Sequence, residues 1–390
     1  MKKIVVISLE TINNIGDDLL GFNTRHLVRT IEKDVEVIKV ELVPNKKILL
    51  KNKWFIRLFF SKLLYILSKY ICSNFFKNIS YKIKCNKYFR KMFFNANAII
   101  LAIGMLKYST QDFSYVFYLI NKIAKEYNIP VFMSAMSIEN INLADWRCRQ
   151  LIEAVNFSSV KMITTRDTEK ELDVLRNNYL KNNLSCETAV VGDPALWTSE
   201  FIKMKEKNNN KIGIGLIRTG IYKDYGNKNI DDKYIFDLYK DIIEELEKRK
   251  IEWSLFCNGM REDYEVGVAL LKELNLDESK LMFRPKTINE LVDILSNFKV
   301  VLGARLHCCI TSYTYNIPIV GLIWDNKLRS FAKKIDWYDN FIEKENLNAK
   351  YIVDKLVEVE KKQYSRDLFY KLRESNLKSF KDFLNREKNN

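Results

Sequence analysis

The stretch KVVLGARLHCCITSYTYNIPIVGLIWDNKLR, residues 299–329, carries the plainest structural signal in the chain. Residues 299–302 form a short run rich in β-branched side chains, and Gly303 and Ala304 make a turn. A short helix begins at about Leu306, and Pro318 opens a second apolar run over 319–324. Flanking glycine, proline and β-branched enrichment mark both runs as buried strands. The turn sets Arg305 and His307 at a helix start, where unpaired amides and the positive end of the helix dipole favour an anion. The chain has only two histidines, His26 and His307. A cation, an imidazole and a helix N-terminus within three residues suit a phosphate or carboxylate site. The same residues also suit a plain structural role, with a histidine bonded at a helix start and an arginine paired with a carboxylate.

The rest of the chain repeats this alternation. In the first half, strands are expected at 3–8, 35–42, 97–101, 131–135, 160–164 and 189–191, and helices at 17–31, 114–127, 144–155 and 169–176. Asp167 is the expected cap of the 169–176 helix, leaving Arg166 to point into the loop region. Asp17 and Asp18 complement the dipole of the first helix. Residues 201–211, FIKMKEKNNNK, are polar and of low complexity and read as a linker. A second series follows, with strands at 212–217, 253–257 and 281–283, and helices at 231–248, 263–274 and 288–296. Residues 327–335 and those from about 346 onward read as charged helices. Tyr-Asn-Ile-Pro occurs at 127–130 and again at 315–318, each time joining a helix to an apolar strand. The expected fold is α/β, with two Rossmann-like doubly wound domains and a cleft between them. Residues 1–200 form the first domain, 201–211 the linker, 212–345 the second domain and 346–390 the C-terminal helices. In such sheets ligands bind at the carboxyl ends of strands.

Composition narrows the class. At 390 residues with 47% hydrophobic and 13% aromatic content, the chain is globular. Its seven cysteines contain no C-x-x-C pair, which fits reduced thiols in a cytoplasm and offers no zinc framework. Glu10 closes the apolar run of MKKIVVISLE early, so this reads as a strand and not as a signal sequence. No segment approaches the ~20 apolar residues of a membrane span.

The net charge of +15 is concentrated. Residues 42–111 hold fourteen lysines and arginines and no Asp or Glu. Within them WFIRLFFSKLLYILSKY, 54–70, reads as a helix with a narrow polar stripe and a broad aromatic face. That pattern suits an anionic membrane surface engaged by residues 46–91, inside an insertion spanning 44–95. A nucleic-acid reading uses the same residues. It ranks lower because so apolar a helix would leave large greasy patches on a nucleic acid, and no nucleic-acid partner is expected.

The chain resembles the polysaccharide pyruvyl transferase family over most of 1–340. The likeness is carried by Gly303-Ala304-Arg305-Leu306-His307, Asn316-Ile317-Pro318 and Asp325-Asn326-Lys327. Asn14-Ile15-Gly16-Asp17, Thr165-Arg166-Asp167, Val191-Gly192-Asp193-Pro194-Ala195-Leu196 and Pro285-Lys286-Thr287 add to it. The resemblance implies a GT-B-like pair of domains. It also implies transfer of a pyruvyl group from phosphoenolpyruvate to a sugar of a surface glycan, as in exopolysaccharide biosynthesis, with ketal formation and phosphate release. Under it Arg305 and the helix start hold one anionic group of the donor, and Arg218 or Lys327 the other. Arg166 faces the cleft, and Asn14 lies in a substrate-binding loop. His307 serves as general acid/base, and Asp17 orients or deprotonates the acceptor hydroxyl. No cofactor and no metal are expected. With the basic segment, the resemblance implies a lipid-linked acceptor and a cytoplasmic, peripheral location at the inner face of the plasma membrane. Two departures fall at Ala102-Ile103-Gly104-Met105 and Ser134-Ala135-Met136-Ser137, where the family is richer in glycine. The alternatives are a GT-B-type glycosyltransferase using a nucleotide sugar, and a non-catalytic glycan- or membrane-binding relative.

Overall fold

β-Branched runs separated by amphipathic helices form two sheets in which every ladder is parallel. The first contains β1 (Lys2–Ser8), β2 (Val35–Glu41), β3 (Ala98–Leu101), β4 (Met105–Leu106), β5 (Val131–Ile138), β6 (Val160–Thr165) and β7 (Glu187–Val190). Their order is β2-β1-β3-β5-β6-β7, with β4 paired to β5. The second contains β8 (Lys211–Gly215), β9 (Trp253–Phe256), β10 (Phe298–Gly303), β11 (Ile319–Leu322) and β12 (Phe341–Ile342), in the order β12-β11-β10-β8-β9. Strands β3, β5, β9 and β11 are buried along their whole length. Strands covered on both faces carry continuous apolar runs instead of alternating ones, as the sequence does.

The structure is a computed structural model describing residues 1–10, 14–44, 61–66, 74–109, 113–206, 210–226 and 229–389. The expected helix at 54–70 is helical over 61–66, and its remainder lies outside the described residues. No helix among the described residues is long and apolar enough to cross a membrane. The chain forms two compact units: Met1–Thr11 with Leu20–Gly192 and Ser375–Asn390, and Ile12–Leu19 with Asp193–Glu374. The break thus falls at Gly192, ahead of the polar 201–211 stretch. The reason is local: the short helices Pro194–Trp197 and Thr198–Phe201 pack on the helix Leu306–Thr314. The Tyr315 hydroxyl also donates to the Ile202 carbonyl (2.8 Å). The C-terminal helices are shared out rather than set apart. Ala349–Val359 packs on Asp232–Lys248, while Phe380 and Phe383 meet Phe132 of β5 at 5.1 and 5.3 Å.

The repeated Tyr-Asn-Ile-Pro has one physical explanation. Asn128 and Asn316 both take the left-handed conformation (φ 54° and 60°). Each closes its helix by amide bonds back to the last turn, and the proline starts the next strand. Two local expectations are corrected. Asp167 does not cap the following helix. Thr168 does, with its backbone N–H donating to Glu171 (3.1 Å). Asp167 is drawn inward to accept from the Ser137 hydroxyl (3.1 Å) and the Ile138 amide (2.9 Å), and burial pushes its carboxyl up. Residues 281–283 add no strand to the sheet; Leu281 makes a single bridge to Leu255.

In both sheets the chain first builds toward one edge, then crosses over and builds the other. The reversal falls between β1 and β3 in one and between β8 and β10 in the other. The carboxyl ends flanking such a switch point are where doubly wound sheets bind ligands. After β8 the backbone is held by Tyr239, whose buried hydroxyl accepts from the Ile217 amide (3.2 Å) and donates to the Gly215 carbonyl (3.2 Å). Tyr239→Phe is expected to destabilise the C-terminal unit by about 1–3 kcal/mol, since the buried amide loses its partner. Denaturant unfolding followed by fluorescence measures this, and an unchanged midpoint would argue against the bracing role.

Candidate functional site

The switch point of the second sheet places three of the expected residues, Arg218 after β8 and Arg305 and His307 after β10, at the ends of its flanking strands. Gly303 ends β10, and a Cβ there would sit 2.5 Å from Cys309 Sγ, so glycine lets the next helix start at once. Arg305 is the N-cap of the helix Leu306–Thr314, which puts His307 in its first turn. The Trp324 indole donates to the Ala304 carbonyl (2.6 Å) and fixes the turn from the β11 side. Tyr225 packs edge-on against Trp324, with ring centroids 4.7 Å apart. Burial, and then the nearby Asp325 carboxylate, push its hydroxyl pKa up.

Arg305 does not stand free. Its Nε and Nη2 donate to Asp263 (2.8 and 2.7 Å), a carboxylate with no solvent exposure. Burial works against the guanidinium charge, but Asp263 outweighs it and raises the Arg305 pKa. Asp263 also accepts from the Arg218 backbone amide (2.9 Å). The Arg218 side chain turns outward and pairs with Asp224.

His307 is buried, with two neighbours from distant parts of the sequence. Its Nε2 faces Asp193 Oδ2 at 3.7 Å, while the other Asp193 oxygen accepts from the Ala195 amide (2.8 Å). On the other side lies Gly16, where a Cβ would fall 2.3 Å from His307 Nδ1. This backbone is held by Asn14, whose Oδ1 accepts from the Gly16 amide (3.2 Å) and whose Nδ2 donates to Asp17 (2.9 Å). Asp17 is itself buried. The motifs at 14–17, 191–196 and 303–307 therefore converge on one imidazole.

Lys327 lies partly exposed in the first turn of the helix Asn326–Lys334, which Asp325 caps by accepting from the Leu328 amide (3.1 Å). Arg166 belongs to the other unit. It is buried there and donates to the Gly104 carbonyl (3.0 Å) and the Ser137 hydroxyl (3.4 Å). Sequence reasoning missed Asp263, which reads as an ordinary first-turn helix acid, and gave Asp193 no role although its motif stood out. Among the described residues no group of three or more His, Cys, Asp or Glu side chains is arranged to hold a metal ion.

A doubly wound pair of parallel α/β units with an imidazole and a helix start at a switch point defines a GT-B-like protein. Solved structures agree on the fold. A UDP-GlcNAc 2-epimerase from Methanocaldococcus jannaschii is 11% identical and covers 98% of this chain and 99% of its own, with TM-score 0.55. One from Rickettsia bellii is 13% identical, with 99% and 98% coverage and TM-score 0.54. The UDP co-structure of S. aureus MnaA is 10% identical, with 96% and 91% coverage and TM-score 0.55. No curated protein matches the chain. The polysaccharide pyruvyl transferase profile matches residues 14–326, most of the chain. The chain belongs to that family and is a transferase.

The packing of Gly16 on His307 makes a direct prediction. Gly16→Ala should displace the imidazole and cost about 1–3 kcal/mol of stability, as overpacking does in a filled site. With only two histidines in the chain, the His307 ring signals are readily assigned by magnetic resonance. They should shift in this variant, and unchanged signals would contradict the contact.

Proposed function

We propose that the protein transfers a pyruvyl group from phosphoenolpyruvate to two hydroxyls of a sugar in a surface glycan, forming a ketal and releasing phosphate. The observation that carries this reading is the buried His307 at a helix start, held between Gly16 and Asp193, beside the Arg218–Asp263–Arg305 cluster. The donor's phosphate and carboxylate call for cations and amide donors together. A guanidinium and a helix N-terminus supply both kinds of group.

Two sugar hydroxyls each give up a proton. One proton goes to the donor's methylene carbon, which becomes the methyl group, and the other leaves with phosphate as the two C–O bonds form and the bond to phosphate breaks. His307 carries a proton between these atoms as general acid/base. Asp193 orients the imidazole and neutralises its charged form. Asp17 orients the acceptor hydroxyl, Asn14 holds the Gly16–Asp17 turn, and Lys327 offers a further cation. No metal or cofactor is invoked.

Phosphoenolpyruvate with lipid-linked oligosaccharides should give phosphate and an acceptor heavier by roughly 70 mass units, as a ketal requires. His307→Ala should lower turnover by about 10²–10⁴. Near-normal turnover in that variant would remove the role. Release of nucleotide from a nucleotide sugar, with no phosphate from phosphoenolpyruvate, would favour a glycosyltransferase; binding without turnover of any donor would mark a non-catalytic relative.

The basic, aromatic segment at 46–91 supports an acceptor presented on an anionic membrane at the cytoplasmic face. Each Lys or Arg near such a surface contributes about 1 kcal/mol. Replacing the Lys and Arg residues of 46–91 with Gln should abolish sedimentation with phosphatidylserine vesicles. Equal binding by the neutralised chain would refute the membrane role.

A further inference from the structure

We infer that Asp263 is the positioning residue for the cation that grips the donor, Arg218, and that Arg305 is a buried strut and not a donor ligand. This rests on the donor reading above. Asp263 lies in the first turn of the helix Arg261–Glu273, with no solvent exposure, and both of its oxygens are engaged. Oδ1 accepts from the Arg218 amide and from Arg305 Nη2, and Oδ2 accepts from Arg305 Nε. One carboxylate thereby ties the chain leaving β8 to the turn leaving β10, the two strands that flank the switch point. The preceding amide, Ile217, is held by Tyr239. With two successive amides pinned, the direction in which Arg218 leaves the backbone is set.

The two guanidiniums differ in what they can give up. Arg305 is 18% exposed and cannot turn to a ligand without leaving a wholly buried carboxylate uncompensated, which is strongly unfavourable. The Arg218–Asp224 pair is 36% and 54% exposed, and pairs of that kind are exchanged for another anion at little cost. Arg218 is therefore the group that moves to the donor, and Asp263 with Arg305 is the frame it moves on.

The test uses the full chain with phosphoenolpyruvate as probe. Arg218→Gln should raise KM for the donor ~10-fold or more with little change in kcat, the pattern for a contact made equally in ground and transition states. Asp263→Asn should do the same, and the double variant should be little worse than either single one, because both changes remove one interaction. Asp263→Glu, which keeps the charge but moves both anchored groups, repeats the measurement should the Asn variant not fold, and should also raise KM. If Arg305 held the donor directly, Asp263→Asn would free its guanidinium; an unchanged or lower KM overturns the inference, as do additive losses with Arg218→Gln. If the wild-type chain neither binds nor consumes phosphoenolpyruvate, the donor reading fails on its own. The strut is then decided without ligand by a thermal-unfolding cycle of Asp263→Asn and Arg305→Met. Strong non-additivity supports it and simple additivity overturns it.

Discussion

Asp263 is enclosed on every side, and a carboxylate so placed is tolerable only because three N–H groups satisfy it, two of them from a paired guanidinium. Breaking a buried pair of this kind costs about 3–5 kcal/mol, a large share of a domain's net stability. The arrangement at the carboxyl edge of the second sheet follows from that constraint. With Arg305 held by Asp263, the turn after Gly303 has one path, and the helix that carries His307 starts at a fixed point and angle. Trp324 closes the turn from the neighbouring strand. Gly16 then packs so closely on the imidazole that no side chain fits there.

The fold was largely readable from the sequence, because parallel strands buried on both faces leave continuous apolar runs and their helices leave a 3.6-residue period. The stretch from 299 to 329 reads as strand, turn, helix and strand, and the structure has β10, the helix Leu306–Thr314 and β11 in those places. Boundaries were less readable where side chains act against their usual roles. Asp167 looks like a helix cap, but the inward Ser137 hydroxyl and Ile138 amide compete for it more effectively than the helix end does. The polar stretch at 201–211 looks like a linker, yet the chain had already joined the second unit at Asp193, because Pro194–Trp197 packs on the His307 helix.

The cations of the candidate site stand out in the sequence, and of its carboxylates only Asp17 was singled out there. Arg305 and His307 announce themselves by position at a helix start. Asp263 does not, since an acid in the first turn of a helix is common and is sufficiently explained by the dipole. Nor does spacing along the chain show that residues 14–17 and 191–196 meet at residue 307. Those are contacts of tertiary structure, carried by a glycine whose reason for being glycine lies hundreds of residues away.

The carboxylates change how the site must work. Three of its cations are already matched: Arg305 by Asp263, Arg218 by Asp224, and the imidazolium form of His307 by Asp193. The net charge of +15 comes almost entirely from 42–111, and none of these residues lies there. Such a site does not draw a polyanion by net potential. To admit one it would have to exchange partners, and the cost of exchange differs sharply between the pairs. An exposed pair such as Arg218–Asp224 is worth roughly 0–1 kcal/mol, against the several kcal/mol of the enclosed Arg305–Asp263 pair. On the proposed reading, a donor takes the place of Asp224 and leaves Asp263 alone. On the same reading the remaining anionic group is met by backbone amides at a helix start, whose donors are fixed in direction. Selection under that proposal rests on the spacing of two anionic groups within one small molecule rather than on charge alone.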